Sequence, residues 1–201
     1  MTKRVELLFD IVSPNAYLAY WPLKDIAARH GAELVVTPVF LAGMHKLTGN
    51  APPFIRDAEV KGKNEYAILE INRFIAAHGL TEYTMNPKFP FNSVLFQRLL
   101  CTVEGPERLE LADALLRAVW HDGKDPTAPE AVASSLQEAG FDAARMIERT
   151  QDPAIRQALM DNTQNAVDRG AFGIPTMFVH GAMFFGKERL GQIETELERQ
   201  S

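Results

Sequence analysis

The amino-acid sequence predicts an α/β protein in which strands near both ends of the chain enclose a long helical block. Two short apolar runs, 5–11 and 34–40, are separated by about four helical turns, which is typical of a strand–helix–strand unit. Two further runs, 176–179 and 183–185, lie near the C-terminus. Between them, in 41–168, apolar residues recur at helical spacing. This order predicts a thioredoxin-like fold with a large inserted all-helical domain.

The N-terminal unit begins with a strand at 5–11, which is short and nearly all apolar, as a strand buried on both faces is. Ser13 and Pro14 follow as a hydroxyl N-cap and a first-turn proline. Gly31 is placed to end that helix. The second strand, 34–40, is expected to lie parallel to the first after a right-handed crossover.

Six helices are predicted in the central block, from apolar spacing and from prolines and glycines at helix ends. They fall at 68–79, 95–103, 106–120, 129–139, 142–149 and 153–170. The loop 86–92 is either part of a substrate pocket wall or a simple connector.

The C-terminal part returns to strands at 176–179 and 183–185, joined by a turn at 180–181 and followed by a helix at 187–200. We therefore expect residues 1–41 and 169–201 to form a thioredoxin-like domain. Residues 42–168 are expected to form the inserted helical domain.

Composition limits the classes of function. The chain has 201 residues, of which 46% are hydrophobic and 23% charged, as in ordinary globular proteins. The net charge of −5 argues against nucleic acid or an anionic membrane as the main partner. No apolar run approaches the ~18 residues that span a bilayer, and no targeting segment is apparent.

The single cysteine, Cys101, excludes an internal disulfide, a C-x-x-C redox pair and a cysteine-rich zinc site. It favours a reducing compartment, so we expect the protein to be cytoplasmic. The five histidines show no metal-ligand spacing, and no metal is predicted.

Three short segments suit chemistry. The first, 13–16, lies at a helix N-terminus, where backbone N–H groups and the helix dipole favour an anion such as a thiolate. The simpler interpretation is that Ser13 only caps the helix.

The other two segments lie near the C-terminus. In 173–176, a cis bond before Pro175 would present the backbone of Ile174 to a peptide-like ligand, whereas a plain turn is the simpler interpretation. In 185–189, Glu188 is placed to hold an ammonium group, or to act as an ordinary first-turn acid.

Together these segments resemble the kappa-class glutathione transferases and the bacterial 2-hydroxychromene-2-carboxylate isomerases, which share one fold with the DsbA-type oxidoreductases. The resemblance covers nearly the whole chain. It rests on six segments in order: 9–14, 41–43, 49–53, 116–120, 170–176 and 185–190.

The resemblance implies that glutathione is the cofactor and that Ser13 is catalytic, its hydroxyl donating to the glutathione sulfur. The implied glutathione-binding residues are Pro14, Asn15, Asn50, Lys63, Ile174, Pro175, Lys187 and Glu188. Among these, Ile174 would precede a cis Pro175 and pair with the cysteinyl backbone, and Lys187 with Glu188 would hold the γ-glutamyl end. Lys63 would meet the glycyl carboxylate.

The chain departs from the family pattern at three places. Asn15 and Ala16 stand where the family usually has an aromatic residue and a serine. Glu188 replaces the usual aspartate, and Lys187 replaces a smaller polar residue. We therefore expect an adjusted γ-glutamyl pocket.

The resulting hypothesis is a glutathione-dependent isomerase that acts on a small aromatic or conjugated organic substrate. Because the chain lacks a C-x-x-C pair, its nucleophilic sulfur has to be supplied by a cofactor. The alternatives are a kappa-like glutathione transferase or peroxidase, and a non-catalytic glutathione-binding protein of the thioredoxin fold. The resemblance also implies a homodimer.

Overall fold

The computed structural model describes residues 3–199. Its strands are β1 (Arg4–Phe9), β2 (Glu33–Pro38), β3 (Thr176–Val179) and β4 (Ala182–Phe185). Its helices are α1 (Pro14–Arg29), α2 (Leu41–Thr48), α3 (Pro53–Arg56), α4 (Lys63–His78), α5 (Val94–Cys101), α6 (Gly105–Trp120), α7 (Pro129–Glu138), α8 (Ala143–Arg149), α9 (Pro153–Asp168) and α10 (Leu190–Glu198). A short 3₁₀ turn, Lys187–Arg189, precedes α10.

The four strands form one mixed sheet in the order β2-β1-β3-β4. β1 pairs parallel with β2, whereas β3 is antiparallel to both β1 and β4. The predicted thioredoxin-like sheet with a helical insertion is therefore confirmed. The central position of β1 directs its C-terminal end, and the loop that follows, into the middle of the molecule.

The predicted first strand extends too far, because β1 ends at Phe9 and not at residue 11. Both backbone groups of Ile11 bond to side chains of the helical block. Its N–H donates to Gln97 Oε1, and its carbonyl accepts from Trp120 Nε1. Since both groups are occupied, Ile11 does not join the sheet.

Two short helices, α2 and α3, were not predicted. The α2 helix has eight residues and a single buried one, Met44, so it shows no helical periodicity. Gly43 lies within it, and a Cβ there would come within 2.9 Å of the Phe40 ring. Glycine usually disfavours a helix, but at position 43 it is needed because the Phe40 ring packs close to its backbone.

Apolar side chains from the sheet and from the helical block form one continuous core, with Trp120, Tyr17 and Tyr20 among its largest fully buried members. The predicted division into two domains stays a prediction. The predicted end of the last helix at residue 200, and the outer domain limits at 1 and 201, lie outside the described residues.

The loop 86–92 is anchored to the end of α6. Asn86 is buried, and its Nδ2 donates to the carbonyls of Val119 and Lys124. Phe89 packs against Trp120 and Phe54. These contacts fit the connector interpretation of this loop.

No helix within residues 3–199 combines the length and apolar character that crossing a bilayer needs. In the same residues, no group of three or more histidine, cysteine or acidic side chains is arranged to hold a metal ion.

Candidate active site

Ser13 is the N-cap of α1 and is almost fully buried, with 5% of its surface exposed. Its Oγ accepts a hydrogen bond from the Ala16 N–H at 3.2 Å. Its hydroxyl donates to the Ile174 carbonyl at 3.5 Å, which is long for an O–H···O hydrogen bond. The hydroxyl proton is therefore weakly held and free to turn toward a stronger acceptor such as a thiolate.

The loop that carries Ser13 is held in place by the helical block. The buried Gln97 side chain donates to the carbonyls of Phe9 at 2.6 Å and Val39 at 2.9 Å. It also accepts from the Ile11 N–H at 3.2 Å, while Trp120 Nε1 donates to the Ile11 carbonyl at 2.9 Å. The end of β1, the end of β2 and the serine loop are thus joined through one glutamine.

Asp10 is a buried acid beside this loop that the sequence analysis did not single out. Its carboxylate accepts from the Val12 N–H at 3.1 Å and the Leu41 N–H at 2.8 Å, and its backbone carbonyl accepts from the Ser13 N–H at 3.0 Å. Burial raises the pKa of Asp10 to about 6, although the hydrogen bonds oppose that shift. An acid that directly follows a mostly apolar strand was the signal that could have identified it.

The Ile174–Pro175 bond is cis, as the resemblance implies, and it lies directly opposite Ser13. The Pro175 carbonyl accepts from the Gly186 N–H at 3.0 Å, and Thr176 Oγ1 donates to the Gly173 carbonyl at 2.7 Å. The first of these bonds joins the segment before β3 to the segment after β4, and the second fixes the turn before β3. The predicted segments 13–16 and 185–189 therefore both bond to the predicted segment 173–176.

Asn15 and Asn50 approach this region from two sides. Asn15 lies in the first turn of α1, and its Oδ1 is buried without a hydrogen-bond partner in residues 3–199. Asn50 Nδ2 donates to the Phe172 carbonyl at 2.7 Å, and its Oδ1 accepts from the Ala51 N–H at 2.9 Å. An unpaired buried oxygen is costly unless a ligand supplies a donor.

Lys187 and Glu188 form an ion pair directly after Gly186. The Lys187 side chain is buried, and its ammonium lies 5.5 Å from the centroid of the Phe74 ring. Burial acts to raise the pKa of Glu188, but the hydrogen bond from Lys187 and nearby positive charge leave it below its ordinary value. Glu188 is therefore a carboxylate, and about half of its side chain is exposed. The positive charge of Lys187 is balanced by the negative charge of Glu188 beside it.

Lys63 is placed apart from the other predicted residues. Its ammonium contacts Asp57 Oδ1 at 3.0 Å, and Arg56 binds the same carboxylate. The hydrogen bonds from Arg56 and Lys63 hold the pKa of Asp57 well below its usual range. No contact within residues 3–199 joins Lys63 to Ser13 or its neighbours, so any part in binding requires the side chain to leave Asp57.

Cys101 lies at the end of α5, and burial raises the pKa of its thiol to about 11. It is a free cysteine and stays protonated at neutral pH. Cys101 is the chain's single cysteine, so the protein supplies no reactive thiolate of its own.

A cleft of about 260 Å³ opens further along α1, between Tyr17, Trp21, the segment 79–82 and the end of α6. There the Tyr17 hydroxyl bonds to His121 Nε2, and His121 Nδ1 contacts Glu82 at 3.2 Å. Ser13 does not line this cleft. It is therefore distinct from the group around Ser13.

Comparison with known proteins places this architecture in a family. The family model described as a DSBA-like thioredoxin domain matches residues 4–198. The chain belongs to the DSBA-like thioredoxin family. This assignment covers both the sheet and the helical block, as the resemblance read from the sequence implied.

The curated relatives of this family member include two kinds of enzyme. A 2-hydroxychromene-2-carboxylate isomerase of Sphingobium xenophagum is 28% identical over 98% of this chain and 99% of its own length. The Glutathione S-transferase kappa 1 of Homo sapiens is 27% identical over 94% of this chain and 88% of its own length. The two kinds are about equally distant in sequence.

Solved structures agree with the fold. A 2-hydroxychromene-2-carboxylate isomerase superposes with a TM-score of 0.86 at 25% identity, covering 98% of this chain and 95% of the other. The DsbA of Pseudomonas aeruginosa superposes with a TM-score of 0.57 at 16% identity, covering 99% of this chain and 84% of the other. The second similarity concerns the fold alone.

Proposed function

We propose that this protein is a glutathione-dependent isomerase resembling 2-hydroxychromene-2-carboxylate isomerase. The observation that carries the proposal is the weakly held Ser13 hydroxyl at the N-terminus of α1, beside the cis Ile174–Pro175 peptide bond. The proposed role of Ser13 is to stabilise the thiolate of bound glutathione. The substrate is a small conjugated intermediate of aromatic degradation.

Thiolate stabilisation follows from ordinary electrostatics. A free thiol has a pKa of about 8.5, so most of it is protonated at neutral pH. One hydroxyl donor, together with the dipole of a 16-residue helix, favours the anion. Each unit by which the pKa falls corresponds to ~1.4 kcal/mol of preferential binding of the thiolate.

The reaction is a reversible addition. The sulfur forms a bond to an electron-poor carbon of the conjugated system, and the π electrons move to the conjugated carbonyl oxygen. The former double bond is now a single bond and rotates. The electrons then return, the carbon–sulfur bond breaks, and the thiolate is regenerated, so no atom is gained or lost.

Several residues support tripeptide binding. The carbonyl of Ile174, before Pro175, faces the Ser13 hydroxyl, and the unpaired Oδ1 of Asn15 suits an N–H donor. The proposed part of Pro14 is to set the turn on which Asn15 lies.

The outer contacts complete the proposed tripeptide site. Asn50 holds the Phe172 backbone beside the site. Glu188 suits the γ-glutamyl ammonium, with Lys187 fixing its position. Lys63 remains the proposed partner of the glycyl carboxylate, after exchange with Asp57.

The test compares two reactions, each with and without glutathione: isomerisation of 2-hydroxychromene-2-carboxylate and conjugation of chlorodinitrobenzene. We expect glutathione-dependent isomerisation to be the faster reaction, and Ser13→Ala to slow it about 100-fold, as loss of one stabilising donor does. A Ser13→Thr variant, which keeps the hydroxyl, serves as the control. Isomerisation that is indifferent to glutathione or to Ser13→Ala refutes the proposal.

The second candidate is a kappa-like glutathione transferase or peroxidase, which uses the same thiolate but releases a conjugate or reduces a peroxide. The sequence identities to the isomerase and to the transferase are similar, and this favours retaining the second candidate beside the first. Rapid conjugation without isomerisation would select it. A non-catalytic glutathione-binding protein would bind glutathione but show neither reaction.

We further propose a cytoplasmic homodimer, with residues 1–41 and 169–201 as its thioredoxin-like domain and 42–168 as its helical domain. The support for self-association is a set of exposed apolar side chains on and around α3 and α4: Phe54, Ile55, Val60, Tyr66, Ile68 and Leu69. A surface of this kind is typical of an interface. If Ile68→Lys sediments as a monomer while the wild-type protein sediments as a dimer, the result would support this surface as the dimer interface.

A further inference from the structure

Two aromatic side chains form an exposed pair beside the proposed reaction centre. Phe172 lies just before the cis peptide bond, and Phe185 ends β4. Their ring centroids are 4.6 Å apart with the planes tilted by 51°. The two residues are 39% and 40% exposed, so their rings present an apolar surface to solvent.

The pair is fixed in position by its surroundings. The Phe172 carbonyl accepts from Asn50 Nδ2 at 2.7 Å. Phe185 is paired with Thr176 in the sheet. A Cβ at Gly173 would lie 2.9 Å from the Phe185 ring, so the glycine makes room for that ring. Backbone and sheet contacts thus hold the two rings in place, although neither ring is buried in the core.

The pair also lies next to the reactive position. Phe172 is three residues before Pro175, and the carbonyl of the intervening Ile174 is the acceptor of the Ser13 hydroxyl. On the other side, Phe185 directly precedes Gly186, whose N–H bonds to the Pro175 carbonyl. The Phe185 ring lies beside Gly173, one residue before Ile174, and the Phe172 ring packs against it, so the pair lies close in the fold to the peptide group that faces Ser13.

We propose that Phe172 and Phe185 form the binding surface for the planar conjugated ring of the electrophilic substrate. The inference rests on the proposed function and adds to it the residues that would make the site prefer flat aromatic or extended conjugated substrates over short aliphatic ones. The tilted pair offers a ring face and a ring edge, the two arrangements that aromatic groups prefer at 4.5–7 Å. A bound ring would cover the exposed apolar surface of both side chains.

The test uses Phe172→Leu and Phe185→Leu, which keep an apolar side chain of similar size. The matched control is Phe141→Leu, because Phe141 is a partly buried side chain of the helical block, in the loop between α7 and α8. Calorimetry measures binding of S-dinitrophenylglutathione and S-methylglutathione to each variant. Steady-state kinetics compare chlorodinitrobenzene with crotonaldehyde as electrophiles.

We expect each Phe variant at 172 or 185 to weaken S-dinitrophenylglutathione binding about tenfold, as loss of an aromatic contact does, and to leave S-methylglutathione binding within twofold. The KM for chlorodinitrobenzene should rise in parallel, while kcat/KM for crotonaldehyde stays unchanged. Phe141→Leu should alter none of these quantities.

Each of the following outcomes overturns the inference. Equal weakening of both ligands would assign the pair to the tripeptide site, and unchanged binding of both ligands would give the pair no part in binding. Dissociation of a dimer by Phe172→Leu or Phe185→Leu would assign the surface to a second copy of the chain. Wild-type protein that binds S-methylglutathione without preferring the dinitrophenyl compound refutes this inference alone. Protein that binds neither refutes the proposed function as well.

Discussion

Replacing Gln97 with leucine tests how the helical block positions Ser13. The amide has no exposed surface and bonds to three backbone groups. The Phe9 carbonyl also accepts from the Val39 N–H at 3.0 Å, so it keeps one partner in the variant. The Val39 carbonyl and the Ile11 N–H lose the bonds that Gln97 makes.

The expected cost follows from those two groups. A buried polar group left unsatisfied costs about 1–3 kcal/mol, which gives about 2–6 kcal/mol for the pair. The apolar leucine offsets part of this, so we expect the free energy of unfolding to fall by about 2–4 kcal/mol. Because domains are stable by about 5–15 kcal/mol, the variant should still fold.

Two measurements on Gln97→Leu separate stability from positioning. Chemical denaturation gives the free energy of unfolding, and ultraviolet titration of bound glutathione gives the thiol pKa. If Gln97 acts through Ser13, the thiol pKa should rise in Gln97→Leu. It should rise no further when Gln97→Leu is combined with Ser13→Ala, because the two changes would remove the same interaction.

Asn86→Leu is the matched control. The Asn86 amide is also buried and donates to two backbone carbonyls, at 2.9 and 3.0 Å, but it holds the loop after α6. It should lose comparable stability and leave the thiol pKa unchanged. The reasoning fails if Gln97→Leu costs less than ~1 kcal/mol, or if Asn86→Leu shifts the thiol pKa equally.

Three further predictions concern other residues. Burial raises the folded-state pKa of Asp10 to about 6, above its unfolded value of ~3.9, so its ionisation should lower stability as pH rises from about 4 to 6. Denaturation at several pH values should therefore show that the free energy of unfolding of Asp10→Asn rises by ~2–3 kcal/mol relative to that of the wild type between pH 4 and pH 7. A difference between the two proteins that stays constant with pH would contradict this. Gly173→Ala should cost about 1–3 kcal/mol, because its Cβ would meet the Phe185 ring at 2.9 Å; an unchanged melting temperature would count against that packing. Because burial raises the thiol pKa of Cys101 to about 11, iodoacetamide at neutral pH should leave Cys101 unmodified by mass spectrometry and activity intact, and rapid alkylation would show an accessible thiolate.

Much of the fold and part of the site could be read from the sequence, because their signals are local. The apolar runs of β1 and β3 and the prolines that open helices depend on near neighbours in the chain. The same holds for Ser13, whose position at the start of α1 follows from its being a hydroxyl residue before Pro14. The position of the candidate catalytic group was therefore predictable before any tertiary contact was known, whereas its catalytic role was implied by the resemblance alone.

The surroundings of that group were decided by tertiary structure alone. Gln97 lies 86 residues from Ile11, and Asn50 lies 122 residues from the Phe172 carbonyl it holds. Likewise, Lys63 pairs with Asp57, which no spacing rule indicated. Hydrogen bonds and ion pairs of this kind depend on which backbone groups the packed core leaves unpaired, and that is fixed only when the sheet and the helical block come together.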